Sequence, residues 1–299
     1  MKILLLGKNG QVGWELQRSL ALLGEVVACD IDSPPPWQAD FAQPESLALL
    51  VRHVQPNVIV NAAAYTAVDK AESDAERARA VNATAPGVLA REAAARGAWL
   101  VHYSTDYVFD GSGCTPRDEG EPTAPLNVYG RTKLEGEQLV AASGCRHLML
   151  RTSWVYSARG GNFARTMLRL ATERDRLQVI DDQIGAPTSA ELLADVTAHA
   201  LRAMVADPAL GGLYHCAAAG ETSWHGYARF AISSARAHGM ALKVGPNAVQ
   251  PVASRDYSTA ATRPLNSRLD TRRLQRDFGL VLPPWQHGVE RMLSEVLGH

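Results

Sequence analysis

Neither sign of charge dominates this 299-residue chain: 30 lysines and arginines face 31 aspartates and glutamates, a formal net charge of −1. That balance leaves no broad field for a nucleic acid or an anionic membrane, so neither is expected as a partner. An anionic ligand would have to be held locally. Cysteine is scarce, and Cys29, Cys114, Cys145 and Cys216 include no Cys-x-x-Cys spacing. Such spacing argues against a disulfide frame or a thiolate zinc site and suits reduced thiols. Long apolar runs are missing too. The opening run at residues 3–6 is too short for a signal-peptide core, and no later stretch approaches a membrane span. No internal repeat or low-complexity tract is visible. These absences predict a soluble, cytoplasmic protein.

What the chain does have is apolar material, 46% of its residues, laid out in alternation. Residues 3–6, 25–29, 58–60, 99–102 and 148–150 read as buried strands, and 11–23, 44–54, 74–96 and 129–142 as the helices between them. Continuous apolar strands alternating with amphipathic helices predict an α/β fold with a doubly wound parallel sheet of Rossmann type. After about residue 151 the rhythm loosens, with helices expected at 163–172, 190–204, 224–238 and 285–297. Residues 1–150 are thus expected to form a dinucleotide-binding domain. Residues 151–299 read mainly as a smaller α/β substrate-binding lobe, with some segments free to return to the first domain. Such a lobe would close over the carboxyl ends of the strands, where doubly wound sheets bind ligands.

Gly7, Gly10 and Gly13 follow the first expected strand and open the first helix. Glycines there allow a tight turn and close backbone approach, and free helix amides can receive a pyrophosphate. Glycine triplets also serve as plain turns, but Asp30 stands at the end of the second strand, where a carboxylate can accept hydrogen bonds from ribose hydroxyls. Loop, helix and acid in that order point to NADH or NADPH. Asp30 favours the unphosphorylated ribose and Lys8 offsets it, so both coenzymes stay open. The small residues Ala62, Ala63 and Ala64 after the third strand would let a cofactor lie against the backbone; helix–sheet packing explains them equally.

Ser104-Thr105-Asp106 closes the fourth strand, and Tyr129 and Lys133 lie four apart on the following helix, hence on one face. Reducing a ketone by hydride requires a proton for the developing alkoxide. A tyrosine beside an ammonium, whose charge lowers the phenol's pKa, can supply it, and Thr105 can hold and polarise the carbonyl. Alone, Tyr-x-x-x-Lys is a common accident of amphipathic helices; downstream of a glycine loop it points to catalysis.

The stretches 7–16 (GKNGQVGWEL), 60–72 (VNAAAYTAVDKAE), 102–109 (HYSTDYVF), 126–133 (LNVYGRTK), 151–156 (RTSWVY), 182–188 (DQIGAPT) and 263–269 (RPLNSRL) together resemble the extended short-chain dehydrogenase/reductase family. Within it they resemble the branch that reduces the 4-keto group of dTDP-4-dehydro-L-rhamnose. The likeness spans nearly the whole chain. It implies Thr105, Tyr129 and Lys133 as the catalytic trio. Cofactor contacts are implied at Gly7, Gly10, Gln11, Val12, Gly13, Asp30, Asp40, Phe41, Ala63, Ala64, Tyr65, Tyr103, Tyr129 and Lys133. Asp40-Phe41 resembles an acid–hydrophobe pair that frames adenine, although an aspartate leading into the helix at Pro44 would look the same. Thr105, Asp106 and Trp154 would line the deoxysugar pocket, and Gln183, Arg263, Asn266 and Ser267 the nucleotide diphosphate side, where a guanidinium fork suits phosphate oxygens. Some members hold a divalent cation between two subunits, and Glu15, Glu191 and Glu295 fall at matching positions. A magnesium ion in a homodimer is the resulting expectation; three solvated glutamates are the plain alternative.

Two other functions fit the same fold. A sugar-nucleotide dehydratase or epimerase is one, but dehydratases of this group resemble one another in carrying Thr-Asp-Glu where this chain has Thr105-Asp106-Tyr107, and elimination needs that second acid. A non-catalytic dinucleotide-binding regulatory subunit is the other, and it would have no need of the Tyr129–Lys133 pair.

Overall fold

A computed structural model describes residues 1–298. Strands β1 (Lys2–Leu6), β2 (Glu25–Cys29), β3 (Val58–Asn61), β4 (Trp99–Thr105), β5 (Arg146–Thr152) and β6 (Gly212–His215) form one six-stranded sheet in the order β6-β5-β4-β3-β1-β2. Every pairing in it is parallel. The strands are runs of Ile, Leu and Val because both sheet faces are covered, and Ile3 to Leu6 are wholly buried. Successive side chains point to opposite faces, so each strand feeds two cores.

On one face, Ile3, Leu5, Val58 and Val60 pack with Leu16 and Leu20 of helix α1 (Gln11–Leu20). On the other, Leu4, Leu6 and Ile59 meet residues of α2 (Pro44–Val54), α3 (Ala85–Arg96) and α4 (Val128–Ala142). In the second half, α5 (Phe163–Glu173), α7 (Trp224–Ala237) and α8 (Trp285–Leu297) enclose a third core around Leu168, Tyr227, Ile232 and Val289. Helix α6 (Ala190–Ala206) departs from that group. It lies along α1, and its Leu193, Leu201 and Met204 join the first core.

Most of the expected helices and strands are present, with several differences; the helix Arg272–Phe278 and the paired strands Leu177–Ile180 and Val249–Val252 were among the elements not expected. The helix expected over 74–96 is broken into Ala75–Arg79, a π turn at Ala80–Thr84, and α3. Pro86, near the start of α3, lacks the N–H that an unbroken helix would use. The wide turn also frees Asn82 to bond the backbone of Tyr65 in both directions. The helix expected to reach residue 23 stops at Leu20. Strand β6, four residues opened by a glycine, was not expected. No helix among the described residues is long and apolar enough to cross a membrane.

β1 leads outward to β2, and β3 returns on the other side of β1. The crevice at that reversal, above the carboxyl ends of β1 and β3, is where an open α/β sheet receives a ligand.

Candidate active site

Gly7 directly follows β1 with φ at +85°, and a Cβ there would lie 2.7 Å from the Ala63 nitrogen. A Cβ on Gly13 would sit 1.9 Å from the Gly7 carbonyl oxygen, so the loop folds back on the first turn of α1 with no room for a side chain. Helix α1 begins without a side-chain cap and without an acid in its first turn, leaving its N–H groups and positive dipole end toward the crevice. This cradle fits the pyrophosphate of NADH or NADPH. Beside it, Asp30 accepts N–H bonds from Asn9 at 3.0 Å and Ile31 at 2.8 Å.

A cleft of about 570 Å³ runs from this loop to the end of β4. Of the expected cofactor residues it is lined by Gly7, Gly10, Gln11, Val12, Asp30, Ala63, Ala64, Tyr103, Tyr129 and Lys133. Gly13, Asp40, Phe41 and Tyr65 are not among its lining residues. Gly13 serves the fold-back of the loop. Asp40 caps its own turn through Ala42 and Gln43, and Phe41 is buried in the α2 core. Tyr65 donates its phenol proton to Asp74 at 3.0 Å.

The far end of the cleft is built by β4 and α4. Asn127 caps α4 by accepting the Gly130 N–H at 2.8 Å, which starts the helix so that Tyr129 and Lys133 stand one turn apart. The Tyr129 phenol hydrogen-bonds Thr105, and its ring meets Tyr107 edge-on at 5.5 Å. Thr105 in turn donates to Asp106 at 3.1 Å, and Ser267 also bonds that carboxyl. Burial raises the Asp106 carboxyl to about 6, the Ser267 and Thr105 bonds opposing it. The charge relation between Tyr129 and Lys133 differs from the sequence expectation. Burial lifts the phenol to about 12 and lowers the Lys133 amine to about 8, while Lys133 bonds the Tyr103 carbonyl at 2.6 Å.

At another wall of the cleft, Trp154 takes a left-handed backbone (φ +51°) and stacks on Trp224 at 3.7 Å. Both rings line the cleft, and Trp224 donates to Gln183 at 3.1 Å. Gln183 and Arg263 line a second cavity of about 570 Å³. Arg263 is paired with Asp69 at 2.6 Å, so a phosphate there would meet a guanidinium already partnered. Asn266 is buried and props the 112–115 loop through two backbone carbonyls; it lines neither cavity. Trp224 lines the cleft and was missed by sequence reasoning, and Tyr107 lines it too, although the sequence reading used it only against elimination. For Trp224 a signal existed: a tryptophan directly after the helix-capping Ser223.

Glu15, Glu191 and Glu295 approach one another, and Glu15 is raised by burial and then by its acidic neighbours. Yet Arg291 bonds both oxygens of Glu191, at 3.1 and 2.9 Å, and no group of metal-ligating side chains is assembled among the described residues. The donors of one chain therefore do not assemble a magnesium site among the described residues.

The family model described as RmlD substrate binding domain matches residues 1–297. The chain belongs to this family. The RmlD likeness extends to a dTDP-4-dehydrorhamnose reductase of Shigella flexneri, 54% identical over 296 residues that cover 99% of this chain and 98% of that one. Among solved structures, a dTDP-4-dehydrorhamnose reductase of Clostridium acetobutylicum superposes with a TM-score of 0.88 at 35% identity, over 99% of both chains. One of Bacillus anthracis, in complex with NADP, gives 0.86 at 33%, over 98% of this chain and 99% of that one. Likeness at these levels covers the RmlD fold from the glycine loop to the last helix, a Rossmann-type α/β architecture.

Proposed function

We propose that the protein reduces the 4-keto group of dTDP-4-dehydro-β-L-rhamnose to dTDP-L-rhamnose with NADH or NADPH. One observation carries this reading: Thr105, Tyr129 and Lys133 converge at the end of β4, in the same cleft as the uncapped glycine-loop helix. The reduced nicotinamide, when bound, supplies the hydride. Thr105 and Tyr129 hydrogen-bond the ketone oxygen, and Tyr129 gives it a proton as the carbonyl becomes an alcohol. Lys133 holds the nicotinamide ribose with those N–H groups that Tyr103 does not take. The stacked Trp154 and Trp224 form an apolar wall for the deoxysugar, and Gln183 and Arg263 face the nucleotide side. Residues 1–150 chiefly bind the dinucleotide, and the later lobe chiefly binds the sugar nucleotide. A cytoplasmic location belongs to the same proposal, in keeping with four free thiols.

Tyr107 edges against Tyr129 where a dehydratase would need an acid, which argues against elimination. The intact Tyr129–Lys133 pair argues against a purely regulatory module. Mixing the purified protein with NAD(P)H and dTDP-4-dehydrorhamnose tests the reading. Loss of reduced-nicotinamide absorbance in step with dTDP-L-rhamnose formation is expected; no loss with either coenzyme would end it.

A further inference from the structure

His102 has no place in the chemistry above, yet it is 1% exposed and lies directly behind Lys133. The parallel register sets Asn61 of β3 opposite His102 of β4. The amide of Asn61 has only one workable orientation. Its Oδ1 accepts the Ala63 N–H at 3.1 Å, so its NH2 is the group 3.1 Å from His102 Nδ1. A donor facing Nδ1 requires a lone pair there, and a neutral imidazole then carries its proton on Nε2. Burial first, and then the charges of Lys133 and His147, hold the ring well below its ordinary range, which keeps it neutral. Nε2 lies 3.5 Å from Lys133 Nζ. An N–H is therefore aimed at the lysine nitrogen. An amine lone pair can accept it; an ammonium cannot.

Resting on the reductase reading for its kinetic consequence, we propose that His102 is a positioning residue whose Nε2–H, oriented by Asn61, turns the protons of Lys133 toward the cleft and favours its neutral amine. The surroundings divide clearly. Glu137, one turn along α4, favours the ammonium, but Arg151 of β5 binds both its oxygens at 2.8 and 2.6 Å. Tyr129 lies one turn the other way. The Tyr103 carbonyl accepts from Lys133 in either charge state. His147 of β5 bears on His102 but bonds the Cys145 carbonyl. Among these groups only His102 presents a donor to the lysine nitrogen from the sheet side.

Nitrogen-15 NMR of histidine-labelled full-length protein tests the tautomer without substrate. His102 is expected to show a protonated Nε2 and a bare Nδ1 from pH 6 to 9. An Nδ1–H tautomer or an imidazolium in that range would overturn the proposal. The kinetic test is the pH profile of kcat/KM for His102→Gln, whose carbonyl can accept from an ammonium. Its alkaline limb should move up by about one pH unit, a roughly tenfold change in proton affinity. A limb that stays in place while kcat merely falls would reduce His102 to packing. Should that variant misfold, Asn61→Asp keeps the Ala63 contact, accepts from an Nδ1–H, and so presents a bare Nε2 to Lys133; it should shift the limb the same way. If the wild-type protein fails to oxidise NAD(P)H with the ketosugar, the reductase reading falls, and the NMR result still decides the tautomer.

Discussion

At Tyr129, burial and hydrogen bonding pull against each other. Burial lifts the phenol to about 12, and the bond to Thr105 draws it down. Such a phenol keeps its proton at neutral pH until charge develops on the substrate oxygen. Tyr129→Phe should therefore lower kcat/KM by roughly 10²–10⁴-fold while NADPH affinity, read by fluorescence titration, stays near the wild-type value. Retained turnover would remove Tyr129 from its role. Asp106 offers a test on stability. It is 2% exposed, and its carboxyl rises from 3.8 to about 6, chiefly through burial. The folded chain thus holds this proton more tightly than the unfolded chain. The group's contribution is full below about pH 4 and is lost as pH rises through about 6. Asp106→Asn keeps an oxygen for Thr105 and removes the buried charge. Its stability relative to wild type should grow between pH 4 and pH 7, by roughly 1–3 kcal/mol in urea unfolding. A difference that is flat with pH would count against a buried, proton-retaining Asp106.

The glycine loop shows which elements the sequence could reveal. Gly7 and Gly13 were legible because the backbone itself demands them, Gly10 by its spacing between them, and Tyr129 and Lys133 because helical spacing is a local rule. Asp30 was legible as the acid closing β2. It also turns out to hold the Asn9 N–H, which stiffens the loop. Asp30→Ala should weaken both coenzymes through that lost contact, and NADH more than NADPH because only the unphosphorylated ribose gains from a carboxylate. Equal losses in parallel titrations would leave Asp30 a loop brace alone. Other features depend on partners distant in sequence and were not legible. The π turn at Ala80–Thr84 is settled by Asn82 reaching Tyr65, and the stack of Trp224 on Trp154 by the meeting of the first residue of α7 with the segment after β5, far apart in the chain.

The whole molecule is knit across its midpoint. Strand β6, from the second half, pairs with β5 from Gly212↔Leu148 to His215↔Arg151. Leu193, Leu201 and Met204 of α6, with Leu274 and Phe278, complete the core that begins with Ile3, Leu5 and Leu16. The two halves of the chain are therefore not two separate units in packing. Residues 1–150 expressed alone would end inside β5, bare a sheet edge and expose one apolar face now covered by α6. A newly exposed apolar face and an unpaired strand edge both invite association. The first-half fragment should lack a cooperative urea transition, bind a hydrophobic dye and fail to bind NADH, although it contains the glycine loop, Asp30, Tyr129 and Lys133. The full chain should show one transition followed alike by tryptophan fluorescence and far-ultraviolet circular dichroism. A fragment that unfolds cooperatively and binds NADH would show that the second half adds only the sugar-binding lobe, and that α6 and β6 decorate a core already able to stand alone.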